Sequence, residues 1–344
     1  YSSERLAKIT EFMNAKVDDG TMVGGMGVIM RNGKIIYQQT YGQADREADR
    51  PMEDDAIYRI YSMSKPITGV ALMMLYEDGK FRLNDPIAMY MPEFAGLKVA
   101  TSTAGTNIVS DGTTSRTVGS GDDSLVGEWR KPTRQPTIRD LLRHTAGMTY
   151  GVFGNTEVDQ LYRNAGLLGD MTLAEFTKAL GQLPLQYDPG SQWHYSVSVD
   201  VQGRLVEVLS GMSFGEFLKQ RIFTPLDMRD TDFQVNEGNK DRLAQMYKPM
   251  GVDANNFFSP ATGKGLEVAD AFASARYIYG GKFESGGGGL ISTARDYLRF
   301  SQMLLNGGEL DGVRILSPKT IQLMTTNHLG EMPMGFGRRG AGFG

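Results

Sequence analysis

The sequence predicts an α+β fold, with a β-rich part near the N-terminus and a long helix-rich part in the middle. Residues 22–41 are β-rich, and Asn32-Gly33 within them is a strong signal for a β-hairpin. Helical patterns dominate from about residue 137 to residue 223, where Thr172 and Glu175 form a capping box. At 344 residues the chain exceeds the usual size of one hydrophobic core. We therefore expect one large composite domain or two closely packed domains.

Other helices are predicted outside the middle part. Apolar residues at helical spacing indicate a first helix near residues 6–13. A second helix shows one apolar face from Ile67 onward and ends near Gly79, a residue type favoured at helix C-termini. Two late helices follow, one over about residues 294–306 and one that begins with Pro318 at its first position.

Composition narrows the class of ligand. The chain carries 36 Lys and Arg against 40 Asp and Glu, a formal charge of −4 without runs of like charge, so nothing attracts it to nucleic acid or anionic lipid. It contains no cysteine, which excludes disulfides, thiolate metal sites and a cysteine nucleophile. No apolar run approaches the roughly 18 residues that indicate a membrane span. We expect a small-molecule ligand and a cytoplasmic bacterial location, with a periplasmic or secreted one left open.

Ser62-Met-Ser-Lys65 is the first candidate for chemistry. Three-residue spacing on a helix places an amine beside a serine hydroxyl, which suits activation of a nucleophile. Such a pair is expected by chance roughly once in a chain of this length, so its context decides. Here a short β-like run over residues 57–61 precedes the serine, and a strong amphipathic helix follows it. The helix N-terminal amides could bind an oxyanion, and this context favours a catalytic Ser62 over a plain helix cap.

Ser213 is the competing nucleophile, because Gly211-Met-Ser-Phe-Gly215 fits the G-x-S-x-G pattern of α/β-hydrolases. That pattern requires a strand before the serine, whereas the residues before Gly211 have a helical pattern. Ser213 and Glu216 instead match a capping box for the next helix. A capping role is the favoured interpretation for Ser213.

Other motifs carry weaker signals. Tyr195 stands in a loop just before a predicted helix, so its phenol could project into a cleft, although alone it would be a packing aromatic. The histidines, His144, His194 and His328, show no pair at metal-ligand spacing, so we predict neither a metal nor a cofactor. The glycine run at 286–289 lacks the ending of a phosphate-binding loop, which favours tight backbone packing.

Several segments, in this order, together resemble the family of class C β-lactamases, DD-peptidases and family VIII carboxylesterases, most closely the carboxylesterases. The likeness runs from the first helix to about residue 337. These segments are Ser62-Met-Ser-Lys65, Leu141-Leu-Arg-His-Thr-Ala-Gly147, Tyr195-Ser-Val197, Phe223-Thr-Pro-Leu-Asp-Met228 and Gly287-Gly-Gly-Leu-Ile-Ser-Thr-Ala-Arg-Asp296.

The resemblance implies a β-lactamase/transpeptidase-like architecture, an antiparallel sheet flanked by helices together with a mainly helical lobe. Residues 1–82 and 251–344 would form the α/β lobe, and residues 83–250 the helical lobe. Residues 99–131, rich in Ser, Thr, Gly and Asp, are predicted to be a surface insertion. Ser62 would then lie between the lobes.

The resemblance also implies roles for individual residues. Ser62 would attack the acyl carbonyl and form an acyl-enzyme, while Lys65 and Tyr195 share the general-base task. The Ser62 backbone amide would be one oxyanion donor. Tyr150, which follows the His-Thr-Ala-Gly segment, would contact the substrate, with core packing as its alternative.

The chain departs from the family pattern at two places. β-Lactamases and peptidases have Tyr-x-Asn where this chain has Tyr195-Ser-Val197, and the Val197 side chain cannot hydrogen-bond the amide of a substrate. We therefore expect Val197 to contact substrate and to favour small esters. The family's third motif is also expected beyond Gly337, so we expect the C-terminal strands to be missing and the exposed sheet edge to promote self-association. A β-lactamase, a DD-peptidase or a penicillin-binding sensor without turnover remain the alternative functions.

Overall fold

The computed structural model describes residues 2–101, 129–252, 262–269, 271–334, 338–339 and 343, apart from the side chains of 271–274 and 338–339. The predicted insertion at 99–131 therefore lies mostly outside the described residues. Its two ends are described, and there Val99–Ala100 pairs antiparallel with Trp129–Arg130.

The α-helices of the described residues are α1 (Ser3–Asp18), α2 (Ser64–Glu77), α3 (Ile138–Leu142), α4 (Glu157–Asn164), α5 (Leu173–Leu180), α6 (Ser198–Ser210), α7 (Phe214–Leu218), α8 (Ala271–Tyr279), α9 (Ala294–Leu305) and α10 (Pro318–Thr325). The strands are β1 (Gly24–Arg31), β2 (Lys34–Asp45), β3 (Arg50–Pro51), β4 (Ile57–Arg59), β5 (Val99–Ala100), β6 (Trp129–Arg130), β7 (Tyr247–Pro249), β8 (Leu266–Val268), β9 (Ile291–Thr293), β10 (Glu309–Leu310), β11 (Val313–Arg314), β12 (Pro333–Met334) and β13 (Arg338–Arg339). None of the helices in these ranges is both long and apolar enough to cross a bilayer.

The chain divides into two compact units. The first comprises Tyr1–Ile60, Ile222–Gly281 and Leu290–Val313, and the second comprises Tyr61–Arg221, Lys282–Gly289 and Arg314–Gly344. This grouping differs from the division predicted from the sequence, which placed residues 1–82 together. Helix α2 belongs to the second unit because it is buried along most of its length and packs against α6.

The first unit contains antiparallel strand pairs and α1, α8 and α9. β1 and β2 form a hairpin through Asn32 and Gly33, whose φ angles of 50° and 71° are the positive values that a tight hairpin turn requires. β3 extends this sheet beside β2. Separately, β4 pairs antiparallel with β9, and the Ile60 amide continues the pairing by donating to the Leu290 carbonyl at 3.0 Å. This pairing brings the segment that follows β4 next to the segment that precedes β9.

The second unit is mainly helical, and α6 lies at its centre. α6 packs against α2, α3, α5 and α7. Gly203 permits this close packing, because a methyl group there would lie 3.3 Å from both Leu173 and Phe214. α2 is buried on nearly all sides, with Ile67, Val70, Ala71 and Leu72 fully inaccessible. These buried side chains therefore hold the N-terminus of α2 in a fixed position.

Candidate active site

Ser62 lies in a 3₁₀ turn, Tyr61–Met63, that leads directly into α2. Tyr61 has a φ of 42°, a left-handed conformation that is uncommon for a bulky residue and that strains the chain just before the serine. The side chain of Ser62 is exposed, whereas Lys65 in the next turn is only 4% exposed. The turn thus presents a hydroxyl to solvent above a shielded amine.

The structure brings Ser62, Lys65 and Tyr195 together. The hydroxyl oxygens of Ser62 and Tyr195 lie 2.7 Å apart, and Lys65 Nζ donates to Ser62 Oγ at 3.1 Å. Lys65 Nζ also lies 4.7 Å from the centroid of the Tyr195 ring. Two proton-carrying groups therefore contact one exposed serine oxygen, the arrangement required of an activated nucleophile.

Residues 286–289 pack against this group, as the glycine run predicted. Lys65 Nζ donates a hydrogen bond to the Gly287 carbonyl, and Thr68 Oγ1 donates to the Gly286 carbonyl at 2.9 Å. A methyl group at Gly287 would approach the Tyr150 hydroxyl to 2.7 Å, so the position leaves no room for a side chain. Tight backbone packing is confirmed here, and it places a carbonyl oxygen beside the lysine.

The loop after α3 supports Tyr195 from behind. The buried carboxylate of Asp140 accepts hydrogen bonds from Arg143 at 3.2 Å and from Thr145 at 2.7 Å, which fixes the loop that contains His144. The His144 carbonyl then accepts the amide of His194 at 2.9 Å. The ring of His144 lies 5.0 Å from the ring of Tyr195.

His144 itself is a neutral packing residue. Its Nδ1 accepts the backbone amide of Ser196 at 3.3 Å, and because an amide can only donate, the ring proton lies on Nε2. Burial, with a smaller contribution from the charge of Lys65, lowers the pKa of His144 to about 3. His144 is therefore a neutral imidazole at neutral pH, with its single ring proton on Nε2.

Aromatic side chains surround Tyr195. Tyr150 and Phe153 lie 5.3 and 5.7 Å from it between ring centroids, and Trp193 stacks on it at 6.1 Å. Burial, together with the negative charge of Asp200, holds the pKa of Tyr150 well above its usual value, so the phenol stays protonated. The aromatic group fixes the Tyr195 ring and forms an apolar surface near Ser62.

Val197 packs in the interior and Ser213 caps a helix, so both have structural roles. The Val197 side chain is fully buried at the N-terminus of α6, so the expectation that it contacts substrate has no support in this geometry. Ser213 follows a helix and not a strand, and its Oγ accepts the Glu216 amide at 3.2 Å as the N-cap of α7. The capping interpretation of Ser213 is confirmed.

Reading the sequence did not identify Gly287, Asp200, His144, Phe153 and Trp193 as neighbours of the site. Asp200 is fully buried in the first turn of α6, and its Oδ1 accepts the Gly287 amide at 3.0 Å. A buried acid on an otherwise apolar helix face is the signal that could have identified it. Within the described ranges, no group of three or more His, Asp or Glu side chains is arranged to hold a metal ion.

The fold and this serine, lysine and tyrosine arrangement define a β-lactamase/transpeptidase-like protein, and comparison with known proteins agrees. The family model described as Beta-lactamase matches residues 9–344. Esterase EstB of Burkholderia gladioli is 30% identical over 299 residues, which cover 85% of this chain and 68% of that protein.

Solved structures give the same result. EstCE1, described as a hydrolase with promiscuous acyltransferase activity, superposes with a TM-score of 0.73 at 27% identity over 99% of this chain and 82% of that one. The octameric penicillin-binding protein homologue of Pyrococcus abyssi shares the fold, with a TM-score of 0.68 at 22% identity over 98% of this chain and 64% of that one.

The chain therefore belongs to the Beta-lactamase family and is a serine hydrolase of that family. The resemblance to this family and the predicted fold class, with mixed helices and antiparallel sheets, are confirmed.

Proposed function

We propose that this protein is a carboxylesterase that hydrolyses small carboxylic esters through an acyl-enzyme on Ser62. The observation that carries the proposal is the exposed Ser62 hydroxyl, which contacts Tyr195 at 2.7 Å and Lys65 at 3.1 Å. Those distances are within the reach that direct proton transfer requires. Lys65 is buried, so bulk water does not compete for its amine.

The chemistry follows from these contacts. Ser62 Oγ bonds to the acyl carbon while its proton passes to the Tyr195 and Lys65 pair, and the pair returns the proton to the departing alkoxide as the ester C–O bond breaks. Water then attacks the acyl carbon, gives its proton to the same pair, and releases the acid and free Ser62. The Ser62 amide, at the N-terminal end of α2, is the proposed donor to the oxyanion.

The preference for esters over amides and β-lactams rests on the relatives and on the absence at position 197 of the Asn that β-lactamases and peptidases have. A fully buried valine offers no amide to hold the side chain of a β-lactam or peptide. The names of EstB and EstCE1 describe an esterase and a hydrolase. An activated ester also needs less assistance at its leaving group than an amide does.

A series of p-nitrophenyl esters tests the proposal. Rapid release of about one equivalent of nitrophenol per active site, followed by slower steady turnover, is the kinetic mark of an acyl-enzyme. We expect kcat/KM for p-nitrophenyl acetate or butyrate to exceed that for a chromogenic cephalosporin. A cephalosporin that equals the best ester would make the protein a β-lactamase despite Val197.

A penicillin-binding sensor without turnover is the second candidate. The same three side chains would also acylate on a β-lactam carbonyl, and the penicillin-binding homologue of P. abyssi shares the fold. The sensor hypothesis predicts a stable adduct with a fluorescent penicillin and no steady ester turnover. Steady turnover of the short esters would reject it.

A further inference from the structure

Among the described residues of the site, Asp200 is an acidic side chain that the proposed mechanism does not use. It is fully buried in the first turn of α6, and its Oδ2 has no hydrogen-bond partner among the described residues. Its Oδ1 accepts the hydroxyl of Ser285 and the Gly287 amide, the latter at 3.0 Å. Burial of an acid is unfavourable unless hydrogen bonds compensate it, so the two groups that donate to Asp200 matter for its role.

These bonds connect Asp200 to the catalytic lysine through one residue. The amide of Gly287 binds Asp200, and the carbonyl of the same residue binds Lys65 Nζ. A methyl group on Gly287 would lie 2.8 Å from Asp200 Oδ2, which shows how closely the loop lies on the carboxylate. Gly287 is therefore held from both sides, by an acid on α6 and by an amine on α2.

The orientation of the Lys65 amine depends on that carbonyl. A neutral amine has a single lone pair, and to accept the Ser62 proton it must direct that lone pair at Ser62 Oγ. Its N–H groups then need another acceptor, and Gly287 supplies one. A shift of the carbonyl would turn the lone pair away from Ser62, and small displacements in a reacting group can cost about 10²-fold in rate.

Burial and the neighbouring groups also affect the pKa of Asp200. Burial raises the pKa of Asp200, whereas the hydrogen bonds from Ser285 and Gly287 and the positive charge of Lys65 act to lower it. The groups that face this cluster are Lys65 from α2 and the protonated phenol of Tyr150 from the loop before α4.

We propose that Asp200 is a positioning residue for the proposed ester hydrolysis, on which this inference rests: through Ser285 and Gly287 it holds the carbonyl that orients Lys65 toward Ser62. It does not touch the substrate. The Ser285 hydroxyl and the Gly287 amide are the two links of this arrangement.

Substitutions at Asp200 and Ser285 test the proposal, with Asp296→Asn as the matched control. Asp296 is an equally buried acid of the first unit that accepts the Asp230 amide at 2.8 Å. For each variant we would measure the melting temperature, kcat and KM for p-nitrophenyl butyrate, the pH profile of kcat/KM, and the rate at which a fluorophosphonate labels Ser62.

Asp200→Ala should lower kcat and the labelling rate by about 10²-fold with KM nearly unchanged. Ser285→Ala should give a smaller loss of the same kind. Asp200→Asn keeps an oxygen acceptor for the loop, so it should retain more activity than Asp200→Ala, and because it removes a titrating group beside Gly287 it should change the pH profile of kcat/KM. Asp296→Asn should lower the melting temperature and leave kcat and the pH profile unchanged.

Two results would overturn the inference. The first is a wild-type labelling rate and pH profile in folded Asp200→Asn and Ser285→Ala, which remain informative if Asp200→Ala does not fold. The second is a loss of activity in the Asp200 and Ser285 variants that is fully explained by a smaller folded fraction. Failure of the proposed function is distinct, because wild-type protein would then not be labelled on Ser62 at all.

Discussion

The hydroxyl groups of Ser62 and Tyr195 lie 2.7 Å apart although 133 positions separate the two residues in the chain. They meet because each stands just before a buried helix, α2 or α6, and these two helices pack against each other. The contact gives the exposed serine a direct proton partner. Removal of either hydroxyl should therefore affect turnover more than it affects folding.

Ser62→Ala should abolish ester hydrolysis, whereas Ser213→Ala should keep most of it. Ser62 is assigned to bond formation, and Ser213 accepts the Glu216 amide as a helix cap. Loss of a cap costs about 1 kcal/mol of stability, so the Ser213 variant should melt slightly earlier. Steady-state kinetics and thermal melts of both variants check this. Retained activity in Ser62→Ala with loss in Ser213→Ala would reverse the assignment.

Lys65→Ala and Tyr195→Phe should each lower kcat by about 10²-fold or more, the usual scale for a positioned proton carrier. Tyr162→Phe is the matched control, because the buried Tyr162 hydroxyl has no hydrogen-bond partner among the described residues. That control should retain wild-type kcat. A Tyr195→Phe variant that behaves like the control would remove Tyr195 from the mechanism.

Val197→Asn should destabilise the protein and should not create an efficient β-lactamase. The valine is fully buried, so an amide there would lose its hydrogen bonds to water, at a cost of about 1 to 3 kcal/mol. Val197→Ala measures the effect of lost volume alone. Melting temperatures and cephalosporin turnover of both variants test this, and a stable Asn variant with strong cephalosporin turnover would show that position 197 reaches the substrate.

His144 should make stability depend on pH. Its pKa is about 3 when folded against an ordinary value of 6.5, so between these values the unfolded chain binds a proton that the folded chain does not. The contribution of the neutral His144 ring to the stability of the folded protein is fully present above pH 6.5 and decreases as the pH falls. His144→Gln should therefore lose less stability than the wild type from pH 7 to 4.5, by about 2 to 3 kcal/mol. Urea melts at both pH values measure this, and an identical loss in the two proteins would contradict it.

Local signals in the sequence were sufficient for much of the fold. The Asn32-Gly33 hairpin, the capping box of Thr172 and Glu175 and the proline at the start of α10 are confirmed, because each depends on residues close in sequence. The boundaries of the units differ from the prediction, since they depend on which long-range partners α2 packs against.

The candidate site was only partly accessible from the sequence. Ser62 and Lys65 are one helical turn apart, so local spacing suggested them, and the family resemblance added Tyr195. Gly287 contributes its backbone carbonyl. Every residue has such a carbonyl, so the residue type at position 287 could not indicate this contact. The link from Asp200 to Gly287 spans 87 positions and depends on the tertiary structure alone.

Identification of the serine that a fluorophosphonate modifies tests directly whether Ser62 is the nucleophile. The labelled protein would be digested, and the modified peptide would be mapped by mass spectrometry, with Ser62→Ala as the control. We predict one adduct on the peptide that contains Ser62, none in the control, and loss of ester turnover in proportion to labelling. An adduct on Ser213, or full turnover after Ser62 is labelled, would contradict it.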